Sequence, residues 1–360
     1  MRIGLTDEQA MLRDTTARLA ETLATTSADD VATGQRLDAQ WHRIVELGVP
    51  ALRALEYCGL DSSGVETALV LEELGRRLVA VPVLGQAVLA TELLYAAEAH
   101  KEVELVAEGT WRAAPVLTAD LSDFADTPQT GVALDAAGAT QSLYVVRDGA
   151  SRLLMCAALS VESGRDESGR GESGSTETNL DLTRTIRGLA ADAVDTASPL
   201  GEPITADRWT AVQATALTAV AADLVGVMAG ALDDAVRYAG ERVQFGVRIG
   251  SFQAIGHLLA DSLVRLEGAR SCLWHAAWAL DHLPADEALL AARTAKAYAS
   301  AAGRDVVETA MQVLGGISIT WEHEVHLRLR RTLLNRRLFG DESLQYAAIA
   351  DLRINDRDLG

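Results

Sequence analysis

The side chains of this 360-residue chain best suited to chemistry crowd into one stretch, R-V-Q-F-G-V-R-I-G-S-F-Q at 242–253. Arg242 offers a planar fork of donors that matches a diphosphate through paired hydrogen bonds. Gln244 adds an amide and Phe245 a flat apolar face. Gly246 and Gly250 let the backbone turn sharply or approach a ligand closely. Together these residues suit an anion with an aromatic part, docked where two helices meet. They also suit a helix–helix corner whose arginine caps a C-terminus, and residue types alone leave both readings open.

A second stretch, Q-V-L-G-G-I-S-I-T-W-E-H at 312–323, sets Gln312 ahead of the paired glycines Gly315 and Gly316. The first stretch and its continuation, R-x-Q-F-G-x-x-I-x-x-F-Q-x-x-x-H-x-L-A-D, resemble the flavin-binding corner of the acyl-CoA dehydrogenase family. The second resembles that family's Q-x-x-G-G-x-G-x-T-x-E segment, and the two follow in the family's order. The resemblance implies that Arg242 and Gln244 hold the diphosphate of FAD, with Phe245 near the adenine and Gln253 in the same corner. It implies further that Gln312, Gly315 and Gly316 serve the adenosine end of a neighbouring subunit's site, where glycine leaves no side chain over the nucleotide. A cofactor site shared between chains requires an oligomer.

In the family reaction a carboxylate removes the α-proton of an acyl-CoA thioester while the β-hydride passes to the flavin. A dry pocket raises that carboxyl group's pKa toward a useful value. The two familiar positions for it correspond to Phe339, just before Gly340, and to Ala216. Neither side chain can take a proton. Asp223 is the one acid between positions 211 and 230. It lies on the helical face of Ala216, displaced along the axis by roughly 10 Å. Asp223 is therefore either a base serving a shifted substrate or an aspartate bonded to a neighbouring helix or subunit, with the base coming from a partner chain.

Other constellations are thin. His323 and His326 stand three apart, but no H-E-x-x-H spacing or third ligand accompanies them, so no metal is expected. His257 reads as a packing or hydrogen-bonding residue. No G-x-S-x-G, Walker or G-x-G-x-x-G pattern occurs.

The elements that must position these residues are mostly helical. Residues 1–110 repeat apolar positions at helical spacing, with a capping box at Thr6 and Gln9 and a helix stopped by Gly48. Residues 111–203 change character: 141–146 and 152–156 read as strands, and the resemblance implies a small β domain here. The family's Thr-Glu-Pro and Gly-Ser-Asp loop is absent, and nothing between 112 and 131 replaces it, so the domain is expected to be reduced. Glu-Ser-Gly occurs three times between 162 and 176, and such a polar, glycine-rich run predicts a flexible loop at 160–178. Residues 204–360 predict an alanine-rich four-helix bundle. Its second helix is expected to bury a stripe through Ile255, Leu258, Leu259, Ser262, Leu266, Ala269, Leu273, Ala276 and Leu280, its third is capped by Asp286, and its fourth ends with Gly340 at C′. The fold class is thus mainly α with a small β domain.

The net charge of −19 excludes nucleic acid as the main partner. Lysine occurs only at Lys101 and Lys296. Arg328, Arg330, Arg331, Arg336 and Arg337 form a basic run, either a solvated helix face or a counter-charge for an anionic ligand. No uninterrupted apolar run reaches membrane-spanning length, the N-terminus lacks a signal-peptide core, and Cys58, Cys156 and Cys272 have no ligand spacing. A reduced cytoplasmic protein is expected. The resemblance implies FAD-dependent α,β-dehydrogenation of an acyl-CoA, by one subunit of a hetero-oligomer (α2β2) built with a second acyl-CoA dehydrogenase chain. It implies an electron-transfer flavoprotein as acceptor and bulky substrates such as steroid side chains. The alternative is a catalytically silent subunit that completes its partner's FAD site.

Overall fold

The computed structural model describes residues 4–54, 64–159, 180–189 and 196–357. The loop expected at 160–178 lies outside these residues. The first helices are α1 (Asp7–Thr22), α2 (Gly34–Glu46), α3 (Gly64–Arg76), α4 (Ala90–Ala96) and α5 (His100–Ala107). At the start of α1 the Thr6 hydroxyl accepts from the Gln9 amide and the Gln9 side chain accepts from Thr6 N–H, so two orphan donors are satisfied reciprocally. Gly48 takes φ 78° just beyond α2, a left-handed stop that glycine adopts without strain.

A six-stranded sheet follows, in the order β5-β2-β1-β3-β4-β6. Its strands are β1 (Ala113–Thr118), β2 (Gly131–Ala133), β3 (Gln141–Asp148), β4 (Ser151–Ala158), β5 (Arg187–Gly188) and β6 (Ser198–Pro199). β3 and β4 form an antiparallel hairpin, whereas β1 runs parallel to β3. The centre of the sheet is the strand that sequence reasoning missed between 112 and 131. Ala113 to Leu117 are buried on both faces of β1, so the alternation that betrays a half-exposed strand is absent.

The bundle comprises α6 (Ala206–Glu241), α7 (Gln253–His282), α8 (Ala285–Leu314) and α9 (Val325–Arg337), with α10 (Glu342–Arg357) packed behind α8. The best 18-residue window of α6 has a mean hydropathy of 1.7, apolar and long enough to cross a bilayer, yet all of it is buried within the protein. Of the expected α7 stripe, Ser262, Leu266, Ala269, Leu273 and Ala276 are buried, whereas Ile255, Leu258, Leu259 and Leu280 towards the helix ends are only half-buried. Two helix ends differ from expectation. Pro284 occupies the N-cap of α8, with Asp286 inside the first turn. Leu338 caps α9, and Phe339 follows in a left-handed conformation with φ 57°, the role expected of Gly340. Small residues set the close approach of α6 to α3. A Cβ on Gly226 would stand 2.1 Å from the Glu72 carbonyl oxygen, and one on Gly230 2.3 Å from that of Arg76.

Candidate functional site

α6 ends at Arg242, whose N–H still reaches the Tyr238 carbonyl at 2.8 Å. Two short strands, Val243–Gln244 and Val247–Arg248, then pair as a hairpin. Phe245 (φ 52°) and Gly246 (φ 79°) form its two-residue turn, with both φ values positive, the twist that matches flanking strands. The turn pushes the Phe245 ring outward, leaving it 94% exposed, with Phe252 edge-on at 6.4 Å. Gly250 fits because a Cβ there would lie 2.9 Å from the Ala239 carbonyl. Arg242, Gln244 and Gln253 are exposed, and Arg242 makes no ion pair among the described residues.

The second segment continues from α8 at the same end of the bundle, where Ala239 packs with Ala310 and Val313. Gln312, Gly315 and Gly316 are exposed, and a Cβ on either glycine would meet open space. Beyond them Ile319 is 77% exposed, and the Trp321 indole N–H is anchored on Asp29 at 3.0 Å. A guanidinium fork, exposed amides, an aromatic face and two bare glycine backbones fit the diphosphate and adenosine of a dinucleotide.

The two carboxylate positions lie in apolar cores. Ala216 is fully buried and Phe339 is 7% exposed. The Phe339 N–H donates to the Leu121 carbonyl at 2.8 Å, and its ring packs 5.0 Å from Phe124, which in turn stands edge-on to Trp209 at 5.4 Å. Lys296 secures the turn from beneath. Its buried ammonium donates to the Gly340 carbonyl at 2.8 Å, the Arg336 carbonyl at 3.1 Å and the Ser300 hydroxyl at 2.9 Å. Burial pushes its pKa down to about 7.

Asp223 sits inside a lattice of charges. Arg184 and Asn335 donate to one of its oxygens at 2.8 and 2.5 Å, and Arg331 approaches the other at 3.7 Å. Burial alone would raise its pKa, but Arg331 and Arg184 hold it below the ordinary carboxylate value. Arg184 also grips Asp135 at 2.8 Å, and Arg331 lies 3.5 Å from Asp181. The arginine run of α9 thus departs from both sequence readings in part. Arg328 and Arg331 are buried, Arg328 pairing with Asp234 at 3.1 Å and Glu324 at 3.3 Å and Arg331 donating to the Val79 carbonyl at 3.0 Å. His323 accepts from Val325 N–H at 3.2 Å, His326 lies flat on Trp321 at 5.7 Å, and His257 is exposed. Sequence reasoning missed Arg184, Asp135, Phe124 and Trp209 because their partners are distant in the chain. Lys296 carried one signal, its rarity.

The acyl-CoA dehydrogenase N-terminal domain model matches residues 6–105, and the C-terminal domain model matches 215–352. Acyl-CoA dehydrogenase IpdE2 of Mycobacterium tuberculosis is 32% identical over 90% of this chain and 91% of its own length. The fold is shared with a chain of the Tcur3481-Tcur3483 steroid ACAD G363A variant (TM-score 0.78, 22% identity, 98% and 99% of the two chains covered). It is shared also with the ChsE4-ChsE5 complex of Mycobacterium tuberculosis (TM-score 0.73, 22% identity, 98% of each chain covered). With both signature segments folded at one end of the bundle and both terminal domains matched, the chain belongs to the acyl-CoA dehydrogenase family, FAD-dependent oxidoreductases that act on CH–CH bonds.

Proposed function

We propose that this chain is one subunit of a hetero-oligomeric acyl-CoA dehydrogenase, in which it holds FAD while a second family chain supplies the proton-abstracting carboxylate. The single observation that carries this reading is Phe339. It occupies a familiar base position, sealed against Phe124 and Trp209, while the other position, Ala216, has no polar atom to offer. Asp223 does not fill the role, because its oxygens are engaged by Arg184, Asn335 and Arg331 and its proton affinity is lowered.

FAD, when bound, supplies the hydride acceptor. Arg242 would offset the charge of its diphosphate and Gln244 would help orient it, with Phe245 and Gln253 towards the adenosine. Gln312 would offer its amide, and Gly315 and Gly316 bare backbone, to the nucleotide of the adjoining chain. The exposure of both segments supports a site closed between subunits. Two-chain assemblies named among the structural neighbours, and a steroid enzyme among them, support a hetero-oligomer acting on bulky acyl-CoA esters. An electron-transfer flavoprotein is the acceptor this reading implies.

The test is purification of the chain alone and together with an acyl-CoA dehydrogenase chain of the same organism that carries a glutamate before the glycine. Stoichiometric FAD and acyl-CoA oxidation in the pair, with no oxidation by the chain alone, is the expected result. Full turnover by the chain alone would end the proposal.

A further inference from the structure

The register of the β3–β4 hairpin sets Arg147 directly opposite Arg152. Like charges facing one another across a ladder are destabilising, and neither arginine makes an ion pair among the described residues. Arg147 is exposed and Arg152 half-buried. Acids outnumber bases by 51 to 32 in this chain, and the shielded arginines Arg53, Arg184, Arg270, Arg328 and Arg331 all hold carboxylates. The Arg152 guanidinium instead lies 4.5 Å over the ring of Trp209, which fixes its plane by cation–π attraction.

The two arginines line a cavity of about 190 Å³ together with Trp209, Thr118, Asp123 and Asp126. That volume is the share of roughly six waters, enough for a phosphate or diphosphate group. Neither lining carboxylate makes an ion pair with these arginines among the described residues. Asp123 turns its carboxylate back onto the Phe124 N–H at 2.8 Å. Arg293 adds a third positive charge within its electrostatic reach, with a buried Nε that has no hydrogen-bond partner. The lining thus sets two guanidinium groups beside two carboxylates, one of them held by a backbone N–H, and Arg293 adds positive charge from outside it. Burial, and then the repulsion of Arg147, also draws the Arg152 pKa down, as expected where positive charge is under-compensated.

We propose that Arg147, Arg152 and Trp209 form an anion site at the foot of the β3–β4 hairpin that takes a phosphate or diphosphate group. Planar guanidinium forks bind such groups through paired, charge-assisted hydrogen bonds, and the bound anion relieves the cross-strand repulsion. The group can come from the CoA end of a thioester or from free inorganic diphosphate. Only the first source rests on the acyl-CoA reading of the chain. The site is separate from Arg242 and Gln244.

The test is calorimetric titration of the FAD-loaded assembly with inorganic diphosphate and, separately, with free CoA. Arg147→Ala, Arg152→Ala and the double variant are compared with the parent, and Arg147→Lys serves as the conservative control. Loss of one charge-assisted contact predicts affinity at least about tenfold weaker in each alanine variant, with partial retention in the lysine variant. FAD content should stay unchanged, and Arg147→Ala should melt no lower than the parent because it removes the cross-strand repulsion. Arginine-dependent binding of CoA assigns the site to the thioester, whereas arginine-dependent binding of diphosphate alone assigns it to the free anion. Affinities for both probes within twofold of the parent in the double variant, or no measurable binding of either probe to the parent, overturn the site. CoA binding that depends on these arginines in an assembly unable to oxidise any acyl-CoA would overturn the dehydrogenase reading and leave the anion site standing.

Discussion

Arg242 and Asp223 are both charged residues on α6, and their surroundings set them apart. Arg242 stands exposed at the helix end with its fork free for an anion. Arg242→Ala removes a charge-assisted contact of about 1.5–3 kcal/mol, so FAD affinity in the assembly should fall by roughly ten- to a hundredfold. Retention of flavin at the parent affinity, measured by equilibrium dialysis, would remove Arg242 from the site. Asp223 is buried among arginines, and truncating one partner of a buried pair leaves the other charge uncompensated. Asp223→Ala should therefore cost about 3–5 kcal/mol of stability, read as a large drop in the denaturation midpoint. Asp223→Asn that keeps its midpoint and its flavin yet abolishes turnover would instead make Asp223 the base. The residue types at 242–253 suggested an anion site in the sequence because they are adjacent in the chain. The Asp223 cage could not be read there, since Arg184, Arg331 and Asn335 come from other elements.

At the scale of elements, glycines with different surroundings should fail differently. Gly226→Ala drives a Cβ into the Glu72 carbonyl, an overpacking defect of about 1–3 kcal/mol that thermal unfolding would register. Gly316→Val enters open space, so it should leave the melting temperature unchanged and weaken FAD binding in the assembly. The reverse pattern would contradict the roles given to these two segments. The junction of α6 with α9 supplies a pH signature. Burial, reinforced by Asp234, pushes Glu324 up to about 7, despite Arg328. A carboxyl group whose folded pKa lies above its unfolded value stabilises the fold at low pH, and that contribution is lost as pH rises through about 7. Glu324→Gln should flatten the decline in melting temperature between about pH 4.5 and 7, and a decline as steep as the parent's would exclude Glu324 as its source. Helical periodicity and caps made the long helices legible, and short runs bounded by Gly, Asp and Pro made β3 and β4 legible. β1 was hidden by burial on both faces, and the hairpin at 243–248 by its two-residue strands.

Over the whole molecule, two architectures share one chain. The interior is sealed: helices, sheet and bundle are tied by buried arginine–carboxylate lattices, and both familiar base positions are apolar. The end of the bundle that carries Arg242 and Gly316 is open, with Phe245 and Ile319 turned to solvent. That contrast is the reason for assigning cofactor contacts to this chain and proton abstraction to its partner. The most direct test is flavin reduction by acyl-CoA in the reconstituted pair, followed by bleaching of the flavin's visible absorbance in a single turnover. Replacing the partner's own glutamate before the glycine with glutamine should abolish bleaching while FAD stays bound, and Asp223→Asn in this chain should leave bleaching in the assembled fraction intact. Bleaching that survives the partner substitution would contradict the account.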